Sequence, residues 1–247
     1  MSEQQTNTNV SEVTQYHVDE LLDALCAEFG DDFSRDQVET MLNDSLERLA
    51  GQAAVEDFLP VLAHRYTRER LKSLLRWDER AAGTWDVVFV SLSGGGRGQL
   101  AAALTTALSG GAVSVHAAGS QVGAGVDPAV AQSLEEVGID VSDAYARPVS
   151  AEVLRGADVI VSMGRSVGAF EVPEGTARRV DWRVGDPLGA DLAEVRRVRD
   201  DVERRVRALL DELGCPAAEL RRADGHLTGE RDTRAVAGSR RAAPLAW

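Results

Sequence analysis

Residues 85–101 read WDVVFVSLSGGGRGQLA. The first half is a short run rich in β-branched and aromatic residues, the pattern of a buried strand. Three glycines, an arginine and a further glycine follow, and QLAAALTTAL then continues at helical spacing. A strand feeding a glycine-rich loop and then a helix brings backbone N–H groups and a helix N-terminus to one point, where an anion can bind. Glycine allows that wrap because no Cβ stands in the ligand's way. Arg97 adds a planar fork of donors suited to a tetrahedral oxyanion. The stretch is not a Walker loop, since no Gly-Lys-Ser/Thr follows. It is not the dinucleotide fingerprint either, since no acid stands where a ribose partner belongs. A GGG run alone also fits a plain strand–helix connection.

Strands and helices alternate beyond this loop. VSVHAAGS, residues 113–120, reads as a second strand, and Pro128 opens a helix through Val137 that Gly138 closes. Residues 150–156 form a short helix, ADVIVSM (157–163) a third strand and ARRVDW (177–182) a fourth. A long charged helix runs from Leu192 to Leu213 and ends at Gly214. This order predicts an α/β unit over 84–214, with a four-stranded parallel sheet flanked by helices. Upstream, residues 14–80 carry helical periodicity throughout. Val18, Leu21, Leu22 and Leu25 share one face, and Ser34 caps a second helix that presents Val38, Met41, Leu42, Ser45, Leu46 and Leu49. A third runs from about Val55 to Arg76, with Pro60 in its first turns. These predict an all-α three-helix bundle. Residues 1–13 read as a disordered N-terminus and 215–247, with six Arg and four acids, as a flexible C-terminal tail.

The 247 residues carry 27 Lys+Arg against 40 Asp+Glu, a formal charge of −13, and the bundle holds most of the excess acid. That balance argues against nucleic acid as a partner, including for a helix-turn-helix reading of the bundle. No run of 18 apolar residues exists to span a membrane, and MSEQQTNTNVSEV lacks a basic start and an apolar stretch, so the expected compartment is the cytoplasm. Cys26 and Cys215 form no zinc spacing and no disulfide framework. His17, His64, His116 and His226 are scattered without ligand spacing, so neither a metal nor a cofactor is expected. A three-helix unit of this size has little core alone, which makes a homodimer through the bundle an expectation.

The ordered motifs of 85–214 resemble the low-molecular-weight protein tyrosine phosphatases, and more closely their thiol-dependent arsenate reductase branch. The family loop, often FVC-x-x-N-x-x-RSQMA, is met here by FVSLSGGGRGQLA in the same frame. VHAAGS (115–120) resembles the family's SAGS/T strand, and VDPAVAQSLEEVGIDVSDAYARPVS (126–150) its G-I-D…K/R-P stretch. ADVIVSMG (157–164) resembles D-x-V-[IV]-T-M-G, and VDWRVGDPLGADLAEVRRVRDDVERRVRALLDEL (180–213) the D-W…D-P…E-x-x-R stretch. Some actinobacterial members also carry a helical segment like 14–80. The resemblance implies a low-molecular-weight-phosphatase-like fold. It implies ligand binding by Ser91, Leu92, Ser93, Gly94, Gly95, Gly96, Arg97 and Gly98. The family-matched catalytic positions are Ser91 and Asp186, the latter standing where the phosphatases keep a leaving-group acid.

The departures bear on chemistry. Family catalysis needs a cysteine thiolate, whose pKa a loop of N–H donors and an arginine lowers. Ser91 stands at that position, Gly98 replaces the serine that hydrogen-bonds the thiolate, and Gly94 replaces the asparagine that braces the loop. Arg165 and Ala169, or a near neighbour, stand where the reductases keep relay cysteines. Arsenate reductase or cysteine-dependent phosphatase activity is therefore not expected. The leading expectation is a thiol-less pseudoenzyme that binds phosphate, arsenate or a phosphomonoester-like anion. The alternative is a diverged hydrolase or transferase acting on a larger anionic substrate, with Ser91 or Asp186 taking part and His116, on the next strand, as the available base. An interaction protein with an empty loop is the third reading.

Overall fold

The computed structural model describes residues 12–50, 59–78, 84–93, 95–121, 125–142, 144–145, 147–164 and 177–220. Three helices come first: α1 (Glu12–Phe29), α2 (Arg35–Ala50) and α3 (Leu59–Asp78). Ser34 starts α2 with a reciprocal capping box. Its Oγ accepts from the Gln37 N–H at 3.3 Å, and its own N–H donates to Gln37 Oε1 at 2.8 Å. Val18, Leu22, Leu25, Phe29, Val38, Leu42, Leu49, Ala63, Tyr66 and Leu71 form one buried apolar cluster, so the expected bundle is present.

The α/β unit runs β1 (Trp85–Ser93), α4 (Arg97–Ser109), β2 (Val113–Gln121), α5 (Pro128–Glu135), β3 (Arg147–Pro148), α6 (Ala151–Gly156), β4 (Val159–Met163), β5 (Arg178–Trp182) and α7 (Leu192–Glu212). The sheet is parallel, in the order β3-β2-β1-β4-β5. The four expected strands are all there. The fifth, β3, is two residues long and pairs Ala118 with Arg147 and Gly119 with Pro148. So short a strand carries no periodicity to read, and Pro148 is tolerated because it lies on the sheet edge.

Side chains of β1 alternate between two covered faces, as a buried parallel strand requires. Val87 and Phe89 join the main core with Leu100, Leu104, Val195, Val202 and Val206, beneath α4 and α7. Val88 and Val90 face the other way, onto Val153 and Leu154 of α6, with Ile160 of β4 beside them. Consecutive connections thus leave β1 and enter β4 on opposite faces. The carboxyl end of β1 therefore lies where the winding reverses, the place where open α/β sheets hold ligands.

The bundle is joined to this unit through α3, which packs on α6. Gly156 makes the approach possible, since a Cβ there would meet the Ser73 carbonyl oxygen at 2.8 Å. Buried Arg70 of α3 pairs with Asp44 of α2 at 2.6 Å and Glu152 of α6 at 2.9 Å. The Tyr66 hydroxyl donates to the Pro148 carbonyl at 3.2 Å. This contact supplies, within one chain, burial that a free three-helix unit lacks. At the other end, residues 215–220 do not hang free as a tail. The Ala218 N–H donates to the Leu108 carbonyl at 2.8 Å, and Cys215, Ala217 and Leu220 pack against the main core. The remaining tail, 221–247, and most of the N-terminal stretch, 1–11, lie outside the described residues.

Candidate functional site

The loop after β1 sits where the winding argument puts it. Gly96 is the residue before α4 and offers no side-chain cap, so the first-turn N–H groups of Arg97, Gly98 and Gln99 have no acceptor within the helix. The Leu100 N–H is the first to close back, on the Gly96 carbonyl at 3.1 Å. Close packing demands glycine at one described loop position, Gly95, and leaves little room at a second, Gly96. A Cβ on Gly95 would stand 2.5 Å from the Gly125 carbonyl oxygen, and one on Gly96 would stand 3.1 Å from Leu188 Cγ. The Gly95 carbonyl also accepts from the Asp127 N–H at 3.0 Å. The loop is thus held between the start of α5 and the turn before α7.

Arg97 is mostly buried. Its guanidinium pairs with Asp186 at 3.2 Å, and Asp186 is itself half exposed. It also lies flat on Gly164, where a Cβ would come within 2.5 Å of one terminal guanidinium nitrogen. Gly164 has a φ of +104°, so both its conformation and its contact call for glycine. Asp186 Oδ1 accepts from the Leu188 N–H at 3.3 Å, which fixes the turn at Pro187. An arginine in the first turn of α4 thus faces a carboxylate of the turn at Pro187.

Ser91 follows Val87 and Phe89 on the same face of β1 and is fully buried. Its Oγ lies 3.0 Å from the ideal Cβ position of Gly98, a tight contact for any side chain there. Leu92 is exposed at the rim. The side chains of Ser93 and Ser120, and all of Gly94, Arg165 and Ala169, lie outside the described residues.

His116 is not a base for Ser91. Ser91 pairs with Gly119 and Val88 pairs with His116, so the two lie three residues apart along the strands, about 10 Å. They also point to opposite faces of the sheet. His116 turns towards α3, with Nε2 3.2 Å from Asp86 and Nδ1 3.7 Å from Glu69. Burial disfavours the charged ring, but the hydrogen bonds and charges of Asp86 and Glu69 outweigh it and push its pKa up to about 9. Burial likewise opposes ionisation of Glu69, yet the Arg147 charge and His116 hold its carboxyl below the usual range. Arg76 completes the chain on Asp86 at 2.5 Å.

Several site residues lay beyond sequence reasoning. Gly164, Leu188 and Gly125 touch the loop from three separate segments, and only Gly164 had a local signal, as the residue following a strand end. Gln99 fixes the underside of α4 by donating from Nε2 to the Tyr145 carbonyl at 2.9 Å. Among the described residues, no group of three or more His, Cys, Asp or Glu could hold a metal ion, and no helix is long and apolar enough to cross a membrane.

A parallel α/β sheet with a glycine loop, a loop arginine and an Asp-Pro turn at its carboxyl end defines a low-molecular-weight-phosphatase-like fold. Residues 86–221 match the low molecular weight phosphotyrosine protein phosphatase family, to which the chain belongs. Residues 18–75 match the protein-tyrosine-phosphatase-like N-terminal domain. The arsenate reductase of Brevibacillus brevis is 31% identical over 122 residues, covering 49% of this chain and 90% of that protein. A Halobacterium salinarum relative is 37% identical over 84 residues, and the chain spans 58% of its length. The solved structure of the thioredoxin-dependent arsenate reductase of Corynebacterium glutamicum is similar at a TM-score of 0.70 and 26% identity, covering 80% of this chain and 96% of that one. That share is too large for the α/β unit alone, so the likeness includes helices of the bundle.

Proposed function

We propose that the chain binds an oxyanion, or the anionic group of a phosphorylated ligand, in the loop after β1, without the thiol chemistry of its reductase relatives. The observation that carries this reading is Arg97, placed at the N-terminus of α4 beside Asp186, in a loop whose nucleophile position is Ser91. An incoming oxyanion would take over the guanidinium from Asp186 and accept from first-turn amides, a charge-assisted arrangement. Serine is a poor substitute for the missing thiolate. A hydroxyl needs a base within reach, and His116 faces away on the other side of the sheet. Neither Cys26, packed with the bundle core, nor Cys215, beyond α7, lies in the loop.

Calorimetric titration of wild type and Arg97→Ala with phosphate, arsenate, sulfate and a phosphomonoester tests this reading. Binding to wild type that is lost in Arg97→Ala is the expected result. No binding of any of the four to wild type overturns it. The position of Asp186 beside Arg97 favours a second reading, hydrolysis or transfer with Asp186 as the proton donor. Product formation from the phosphomonoester that disappears in Asp186→Asn would replace the binding-only reading with this one.

A further inference from the structure

The bundle and the loop after β1 are separate in sequence, yet one side of α3 reaches the loop in two steps. Arg65 and Tyr66 stand four and three positions before Glu69, so the three lie along one side of that helix. All three act on one short stretch of chain. The Arg65 guanidinium lies 4.9 Å from the Tyr145 ring centroid. The Tyr66 hydroxyl donates to the Pro148 carbonyl at 3.2 Å, and Glu69 pairs with Arg147. This stretch includes β3, which has two residues and lies at the sheet edge, paired with β2. So short a strand has few ladder bonds of its own, and the ties from α3 hold it where the sheet alone would not.

The second step runs from this stretch to the loop. Gln99 Nε2 donates to the Tyr145 carbonyl at 2.9 Å, and both residues are buried. Gln99 belongs to the first turn of α4, the turn whose N–H groups have no acceptor within the helix. A parallel route passes through the sheet. Pro148 pairs with Gly119, and Gly119 pairs with Ser91 at the base of the loop. The strand end before the loop and the helix start after it therefore both trace back to the stretch that α3 holds.

We propose that Gln99 is a positioning residue for the anion site, and that α3 supports it through Tyr145, Arg147 and Pro148 by fixing where the first-turn amides of α4 point. The proposal rests on the reading of the loop as an anion site. The side chains of this chain of contacts act on the anion only through the backbone of α4. A cradle of backbone donors binds well when it is aligned before the ligand arrives, because reorienting it costs affinity. The buried bond from Gln99 to Tyr145 supplies that alignment, by locking one side chain of the turn against a fixed carbonyl. The bundle thereby has a task beyond burial, which is to hold the sheet edge on which the first turn of α4 leans.

The test uses the full chain with Gln99→Met, which keeps the side-chain length and removes the donor, Tyr66→Phe, which removes one hydroxyl from α3, and the double variant. Leu210→Ala, a buried residue near the carboxyl end of α7, is the control for lost stability. Hydrogen exchange at the Leu100 amide, which closes on the Gly96 carbonyl, is read with no anion present. An amide in the first turn of a helix opens by local fraying, so its exchange does not follow global stability. That exchange should quicken at least about fivefold in Gln99→Met and about threefold in Tyr66→Phe, and stay within about twofold in Leu210→Ala. Titration with inorganic phosphate should show affinity about five- to tenfold weaker in Gln99→Met, about threefold weaker in Tyr66→Phe and unchanged in Leu210→Ala. The double variant should match Gln99→Met rather than multiply the two losses, because both act through the same stretch. Thermal melts establish that each variant is folded, and Tyr66→Phe decides the matter if Gln99→Met is not. Phosphate affinity unchanged in the folded variants overturns the proposal, as do losses no larger than that of Leu210→Ala or losses that multiply in the double variant. Absence of phosphate binding by wild type overturns the reading of the loop instead, and the Leu100 exchange rates then decide alone whether α3 braces α4, unchanged rates overturning it.

Discussion

Raising the pH through the alkaline range should destabilise this fold through one side chain, His116. Its pKa stands at about 9, against 6.5 for the free side chain, because Asp86 and Glu69 outweigh the penalty of burial. The other groups facing it are Ser114, on its own strand at 3.4 Å, and Arg147, 3.5 Å from Nδ1. Below 6.5 the ring is protonated in both folded and unfolded chains, and its contribution is fully present. As pH rises the unfolded chain gives up its proton first, and the contribution is lost progressively until the folded ring also deprotonates near 9. The gap between the two values corresponds to about 3 kcal/mol. Urea unfolding of wild type and His116→Gln at a series of pH values between about 6 and 10 measures it, with the difference between the two curves isolating this residue from other alkaline groups. Wild type should lose about 3 kcal/mol more than the variant across that range. A difference that stays flat to within about 1 kcal/mol would refute the assignment of a charged His116. On the acid side, Glu69 is held below its ordinary value, so its contribution is present above that value and falls away as pH drops.

Gly95→Ala places a Cβ 2.5 Å from a backbone oxygen that cannot swing aside. Phosphate affinity by calorimetry should fall at least about tenfold, and stability by about 1–3 kcal/mol. Asp186→Asn removes the carboxylate that competes for Arg97. Because Asp186 is half exposed, the gain is modest, and phosphate should bind about three- to tenfold tighter. Arg70→Ala leaves Glu152 without its 2.9 Å partner and weakens the joint between α3 and α6. Thermal unfolding should show a loss of about 3 kcal/mol. Ser91→Cys alone should give a thiol whose alkylation rate against pH shows an ordinary thiol pKa, while Ser91→Cys with Gly98→Ser should titrate lower.

The strands β1, β2, β4 and β5 and the helices around them were legible because each is long enough to show a period or is bounded by Pro, Gly or a capping residue. Ser34, Pro128, Gly138 and Gly214 all mark element ends as their chemistry predicts. The loop was legible for the same local reason, as a strand, glycines and a helix in sequence. What could not be read were contacts made across long stretches of chain. The two-residue β3 has no pattern of its own and exists because Ala118 and Gly119 accept it as an edge. His116 could be placed on the strand beside the loop, yet its face depended on register. Val88↔His116 and Ser91↔Gly119 put it opposite Ser91 and under α3. The tie between the bundle and the sheet rests on Arg70, Glu69 and Gly156, none of which stands out among similar residues in a helical pattern.

Ser91 and Gly98 are better understood as one change than as two. They are seven positions apart, but the turn from β1 into α4 brings them together until Ser91 Oγ stands 3.0 Å from the ideal Cβ position of residue 98. A side chain at 98 would crowd that oxygen, which would have to give by a few tenths of an ångström, and glycine removes the demand. A thiol nucleophile depends on donors set against its sulfur. Glycine at 98 offers no side-chain donor to the group at 91. The pair therefore alters the surroundings of position 91 without touching the contact of Arg97 with Asp186 at 3.2 Å. An anion bound as proposed would meet Arg97 and the first-turn amides of α4, groups that neither residue 91 nor the side chain at 98 supplies.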